Sequence, residues 1–349
     1  MGRRHPQGER ENRVSPEDEG EAMTKRNASL PRRALLRLAA SAAALPIASR
    51  LSAAEYPTRP VRIICGFVAG LIPDVAARMI AQALSARLGQ QFIVDNRPGA
   101  GTNIATEMVV RAEADGYTLL VLTSSNATNA TLYTNLKFDL VRDLVAVATT
   151  FRSALVLTVN PAVPVKTTPE FIAYAKANPG KINYASPGVG TLPHVAGELL
   201  RAMTGIDIVH VPYRGAYLPD VLSGRVQAMF TSIATSLDLI VQGKLRALGV
   251  TSEDRSDVLR DVPTIAEAVP GYAAYIWDGI AAPKDTPAEI VGTLNREINA
   301  VLNDPPIRSR LIALGADPLV MSPADAATFV ADETEKWGKV IRSAGIKAE

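Results

Sequence analysis

The chain has 349 residues, of which 47% are hydrophobic and 21% charged, with a formal net charge of +2 and a single cysteine. That supplies apolar material for a sizeable core, and the length suggests two domains. One cysteine excludes an intrachain disulfide, and without a Lys/Arg cluster beyond the N-terminal segment the chain has no footprint for nucleic acid.

Residues 1–22 are a charged stretch without apolar periodicity, so Met23 is the better start. From it run a basic region (Lys25, Arg26, Arg32, Arg33, Arg37), an Ala/Leu run from Leu38 to Ile47 and a small-residue site at Ser52-Ala53-Ala54. Basic head, apolar middle and small-residue tail in that order are the layout of a secretory signal. Arg32-Arg33 leaves both the general and the twin-arginine export routes open. Residues 1–54 are therefore set aside as an extension plus signal, with an exported, periplasmic form expected to begin near Glu55. What remains carries 27 basic and 29 acidic residues, a formal charge of −2. No later apolar run is long enough to span a bilayer.

The rest repeats one unit: a short apolar strand, a loop rich in Gly, Ser, Thr or Asn, and a helical pattern, which argues for parallel sheets covered by helices. Val61 to Phe67 reads as a strand holding Cys65, which suits a buried small hydrophobe. The loop Val68 to Pro73 leads to a helix over Asp74 to Leu88, stopped by Gly89. Phe92-Ile93-Val94 enters Asn96-Arg97-Pro98-Gly99-Ala100-Gly101, and Asp115-Gly116 turns into a strand from Tyr117 to Thr123 that runs out into Ser124-Ser125-Asn126. Leu155 to Asn160 crosses to a second block. There Thr168-Pro169 opens a helix closed near Gly180, Asn183 to Ala185 enters Ser186 to Thr191, and a helix follows to about Thr204. Strands at Ile206 to Val211, Val226 to Phe230 and Leu245 to Val250 complete that block. Trp277 to Ala282 returns, followed by helices over Pro287 to Leu302, Pro305 to Leu314 and Pro323 to Ser343. The expected plan is α/β with two lobes, 55–155 plus 280–349 and 156–279, each a mainly parallel sheet flanked by helices.

Ligands of open α/β sheets bind beyond the carboxyl ends of the strands, where helix N-termini offer backbone N–H groups and the positive dipole end to an anion. The strand-end loops here are rich in Gly and hydroxyls, so the chemistry favoured is a small carboxylate held largely by backbone. Enzyme readings find little. Beyond the signal only His194 and His210 remain, His210 alternates as a strand residue, and His194 stands where it could touch a ligand or cap a helix. There is no G-x-S-x-G elbow, H-E-x-x-H, Cys/His cluster or EF-hand loop, so no catalytic residues, metal or cofactor are expected. Gly99 to Ile104 echoes a dinucleotide fingerprint but lacks its last glycine.

Phe67 to Asp74, Asn96 to Gly101, Asp115 to Leu119, Ala175 to Gly180, Asn183 to Ser186, His210 to Gly215, Gly243 to Leu248 and Asp261 to Thr264, in this order and spacing, resemble the Bug family, the periplasmic receptors of tripartite tricarboxylate transporters. The resemblance covers essentially residues 55–349. It implies a two-lobed binding protein of the type II kind, without catalysis, that holds a ligand carboxylate by backbone groups and bridging waters and hands it to membrane subunits. A carboxylate-sensing subunit of a membrane kinase is the alternative, and a monomer is expected. The contacts implied are Phe67, Gly70, Leu71 and Asp74 in the first loop; Ser124, Ser125 and Asn126; Ser186, Gly188, Gly190, Thr191 and His194; Tyr213, Gly215 and Ala216; and Thr231 with Ser232. Asp74 has a second reading, as the cap of the following helix. Two positions depart from the family pattern: Leu71-Ile72 stands where a Gly pair is common, and Thr231 where an acidic residue is common. These departures predict a cleft that lacks one acidic group able to pair a ligand ammonium, and hence a preference for an amine-free acid with an apolar body.

Overall fold

The computed structural model describes residues 56–213 and 215–348, so the expected signal and mature start lie outside the described residues. The elements in the first half are β1 (Val61–Cys65), α1 (Ile72–Leu88), β2 (Phe92–Asn96), α2 (Asn103–Val110), β3 (Thr118–Thr123), α3 (Ser124–Leu132), the single turn α4 (Leu140–Asp143) and β4 (Leu144–Val159). They continue with α5 (Thr168–Ala177), β5 (Ile182–Ser186), α6 (Leu192–Thr204), β6 (Ile208–Pro212), α7 (Leu218–Leu222), β7 (Ala228–Ser232), α8 (Ile233–Val241) and β8 (Arg246–Val250). The chain closes with β9 (Tyr275–Pro283), α9 (Ala288–Leu302), α10 (Pro305–Ala313), the two-residue β10 (Asp317–Pro318) and α11 (Pro323–Ala344).

The fold is α/β, with the strands in the order β2-β1-β3-β9-β4-β7-β5-β6. The outer strands are parallel on both sides, β2-β1-β3 in one and β6-β5-β7 in the other. The seam between them is antiparallel: β9 pairs with β3 and β4, and β4 with β7 and β8. β4 serves both sides, since Leu144–Ala154 pairs with β9 whereas Leu155–Val159 pairs with β7. β9 joins the first side along its full length, from Tyr275.

Buried apolar strands alternate with helices that carry one buried stripe, as in α1, where Pro73 starts the helix, Gly89 ends it in the left-handed conformation and Ala76, Met79, Ile80 and Leu84 face inward. The C-terminal helix α11 locks the middle. Glu333 accepts hydrogen bonds from the indole N–H groups of Trp277 (3.0 Å) on β9 and Trp337 (2.8 Å), and Trp337 and Ile341 share a core with Tyr184 and Leu157 of the second side.

Three elements differ from the sequence expectation. β4 has 16 residues, but Arg152-Ser153 in its middle breaks the apolar pattern, so only its second half reads as a strand. α3 (SSNATNATL) begins at Ser124-Ser125-Asn126, where a strand-end loop was expected, and α8 is a helix for which no element was expected. The α3 sequence is poor in helix formers, and the helix is started by a reciprocal cap between Thr123 and Asn126.

Candidate functional site

The carboxyl ends of β1, β3, β5 and β7 open onto one cavity of about 380 Å³. Four helix N-termini meet there: α1 through Leu71 to Pro73, α3 through Thr123 to Ser125, α6 through Thr191 to Pro193, and α8 through its cap Ser232. Neighbouring strands supply further lining. On β9 Asp278 stands opposite both Thr123 of β3 and Phe151 of β4, with Ser153 and Ile276 one pleat along. Alternation puts these side chains on one face, and all of them line the cavity. A larger surface groove of about 590 Å³, between α3 and α11 near Thr131 and Arg342, lies away from these strand ends and lacks the convergence of helix termini that gives the first cavity its anion-binding character.

Among the described residues, the cavity lining contains no Lys, Arg or His. Its polarity comes from hydroxyls, from the positive ends of four helices and from one carboxyl group. Its apolar wall is Phe67, Leu71, Ile72, Phe151 and Ile276 with Pro187 and Pro193.

Of the residues expected at the site, Phe67, Leu71, Ser124, Ser125, Thr191 and Ser232 line this cavity. The others stand around or behind it. Asp74 is buried and accepts from the Gly70 N–H (2.9 Å), Asn96 Nδ2 (2.8 Å) and Arg78 Nε (3.0 Å), tying the first loop to α1 and β2. Burial pushes its pKa up, but the hydrogen bonds from Arg78, Gly70 and Asn96 outweigh this and hold it below the usual range. Its role as a side-chain cap is partial, since the cap position is Leu71 and Asp74 ties back to the preceding glycine. Asn126 is fully engaged: its Oδ1 accepts from the Thr123 N–H (2.8 Å) and Oγ1 (2.9 Å), while Nδ2 donates to Thr102 (2.9 Å) and Thr106 (2.8 Å).

A second buried polar knot holds the loop before α6. The His194 ring stacks on His210 with centroids 3.6 Å apart, and its Nδ1 accepts from the Gly190 N–H at 3.0 Å, which leaves the neutral ring its proton on Nε2. Burial, and then the neighbouring His210, lowers the His194 pKa to about 3, so the ring is neutral near pH 7. Ser186 Oγ lies 2.6 Å from His210 Nε2 and 3.1 Å from the Gly188 N–H that donates to it. This Ser–His pair is fully buried at its serine. Gly190 has φ +76°, and a Cβ there would lie 2.3 Å from Leu132, so only glycine fits. Thr231 is buried on β7 with its hydroxyl 3.2 Å from that of Thr235. Tyr213 donates to Asp220 at 2.8 Å, and Gly215 and Ala216 are exposed.

Asp278 is absent from the sequence-derived set. It is 2% exposed, and neither carboxylate oxygen has a hydrogen-bond partner. Burial raises its pKa well above the usual range. Thr231 supplies no carboxyl group, and the one lining the cavity comes from Asp278 on the return strand. A lone Asp within the buried run Tyr275–Pro283 was the available signal, since an unpaired carboxyl in a core strand is costly without a function.

With this geometry in hand, comparison with known proteins is specific. Residues 76–346 match the tripartite tricarboxylate transporter family receptor. Protein BugT of Bordetella pertussis is 37% identical over 306 residues, covering 86% of this chain and 94% of its own. Among solved structures, an R. palustris protein with adipate is 37% identical with a TM-score of 0.71, covering 84% of this chain and 99% of its own. MatC of Rhodopseudomonas palustris with bound malate is 30% identical with a TM-score of 0.67, covering 82% and 100%.

Proposed function

The chain belongs to the tripartite tricarboxylate transporter receptor family, and from that premise we propose that its 380 Å³ cavity captures a small organic carboxylate in the periplasm for transfer to the membrane subunits of such a transporter. The observation that carries this reading is the convergence of four helix N-termini on one cavity, whose described lining has no Lys, Arg or His. Backbone N–H groups and helix dipoles favour an anion there without a fixed counter-charge, and the aromatic and aliphatic wall suits an apolar ligand body. The adipate and malate of the solved relatives fall in the same chemical class.

In this reading Phe67, Leu71, Ser124, Ser125, Thr191 and Ser232 touch the ligand, while Asp74, Asn126, Ser186 and His194 position the loops that do. Gly70, Gly188 and Gly190 supply turns in those loops. Tyr213, Gly215, Ala216 and Thr231 complete the second lobe's share of the cleft on closure. The protein acts as a monomer and performs no catalysis: the Ser186–His210 pair has its serine buried and bonded to Gly188, with no access for a substrate carbonyl.

Calorimetric titration of the exported protein with adipate, malate, citrate, aspartate and benzoate tests the reading, supported by native mass spectrometry of gently purified protein to identify retained ligand. Micromolar or tighter binding of at least one acid is expected. Binding of none, together with turnover of an ester or acid substrate, would replace the receptor reading with an enzymatic one.

A further inference from the structure

Among the described residues, Asp278 is the one ionisable side chain lining the cavity and the one buried carboxyl group with both oxygens unpartnered. Asp74, Asn126, Ser186, His194 and Thr231, the buried polar groups of the surrounding loops, each have hydrogen-bond partners. Thr123 connects the two features that matter, being at once the cap of α3 and the cross-strand neighbour of Asp278. A carboxylate held at the N-terminus of α3 therefore lies beside the Asp278 carboxyl.

We propose that Asp278 contacts the ligand and sets which acids this cavity takes: it enters the complex as a carboxylic acid and donates an O–H···O hydrogen bond to a carboxylate oxygen of the ligand seated at the N-terminus of α3. This rests on the carboxylate-receptor reading and deepens it. Two carboxyl groups side by side in an apolar cavity, with no cation in its described lining, cannot both ionise, and sharing one proton turns their repulsion into a charge-assisted hydrogen bond. Burial already favours the protonated form of Asp278 before any ligand arrives. The surrounding charges do not reverse this. Cys65 on β1 is a buried thiol whose own pKa is raised by burial. On α1, Arg78 is committed to Asp74, and on α2 Glu107 is paired with Arg111. Arg152 of the flanking strand β4 stacks over Tyr275 of β9, and Glu333 of α11 accepts from Trp277 of β9. The ligand class that follows is an acid offering a carboxylate acceptor and no ammonium at that end, because an ammonium would require Asp278 to ionise.

The test uses the exported protein, with adipate and malate as probes. Infrared difference spectra of the complex at pH 8 should contain a carboxylic-acid carbonyl band that Asp278→Asn removes. Proton counting by calorimetry in two buffers of different ionisation enthalpy should show either no exchange, where free Asp278 is already protonated, or uptake of one proton, where it is not. Asp278→Asn keeps a neutral donor and should hold affinity within a few-fold, whereas Asp278→Leu should lose about tenfold or more, roughly one hydrogen bond to a charged group. Thermal unfolding of both variants shows that they remain folded. Proton release on binding, absence of the acid band from the complex, or tighter binding of aspartate than of malate would overturn the assignment while leaving the receptor reading standing. Failure of every acid in the wider panel to bind would overturn the receptor reading itself, and this assignment with it.

Discussion

Two kinds of buried polar group meet at the cavity, and they differ in one respect. Asn126 and Asp74 are as buried as Asp278, at 2% exposure each. Yet Asn126 makes four hydrogen bonds and Asp74 is held by Gly70, Arg78 and Asn96, whereas Asp278 has no partner. Desolvating a polar group is costly unless its hydrogen bonds are replaced within the protein. The first two groups therefore stabilise the empty protein and shape the loops, while the third carries a standing cost that a ligand can offset. Satisfied polarity builds the site, and unsatisfied polarity receives the ligand.

The comparison breaks most readily at Asn126. Asn126→Leu leaves Thr102, Thr106 and the α3 cap without their common partner, and a loss of about 3 kcal/mol is expected by denaturant unfolding. Asp74→Ala should cost about 2 kcal/mol, since it frees the Gly70 N–H and Asn96 and strips Arg78 of its carboxylate. If either variant were neutral in stability but lost ligand, that residue would move from the scaffold to the binding group.

Asp278 should respond with the opposite sign. Its pKa is higher in the fold than in the unfolded chain, so between the two values the native state holds the extra proton and stability falls as pH rises. Asp278→Leu removes that loss, and the empty protein should gain about 1–2 kcal/mol near pH 8 while binding weakens. A destabilised Asp278→Leu would mean that the carboxyl has a structural partner after all.

His194 sharpens the comparison through pH. Its folded pKa of about 3 lies below the ordinary histidine value, so the unfolded chain binds the extra proton between those limits. Stability from this group is present above about pH 6.5 and drains away as pH falls, by at most about 1.4 kcal/mol per unit. Urea unfolding between pH 4.5 and 6.5 should show this slope, and His194→Asn, whose amide oxygen can still accept from Gly190, should flatten it.

Much of this arrangement was legible in the sequence, and the gaps have physical causes. The strand, loop and helix alternation located β1, β3, β5 and β7 and the loops at their carboxyl ends, and six of the contacts that the family resemblance implied in this region line the cavity. The opposite wall was not legible. Phe151, Ser153, Ile276 and Asp278 come from the middles of two antiparallel crossing strands, where the rule about strand ends does not apply and only the pairing register brings them to one face. The start of α3 was read as a loop and α8 was not read at all, because polar caps and β-branched residues hide helices that tertiary contacts stabilise.

The smallest effect expected concerns Leu71, where the sequence departs from its family and the structure sets a limit. Leu71 lines the cavity beside Phe67 and Ile72, yet it remains 47% exposed, so about half of its side chain can be covered by a ligand. Covering roughly 50 Å² of apolar surface at about 25 cal/mol per Å² yields about 1 kcal/mol, near a fivefold change in affinity. Leu71→Gly should therefore weaken adipate about fivefold and leave malate, with less methylene surface, nearly unchanged. Its backbone is extended as the α1 cap (φ −76°), a conformation open to any residue, so the glycine costs stability only through the added freedom of the unfolded chain. Calorimetry on the two acids reads the ratio directly. An equal loss for both would assign Leu71 to loop geometry, whereas a selective loss for adipate would place the selection for an apolar body on this wall, apart from the selection for a carboxylate acceptor by Asp278.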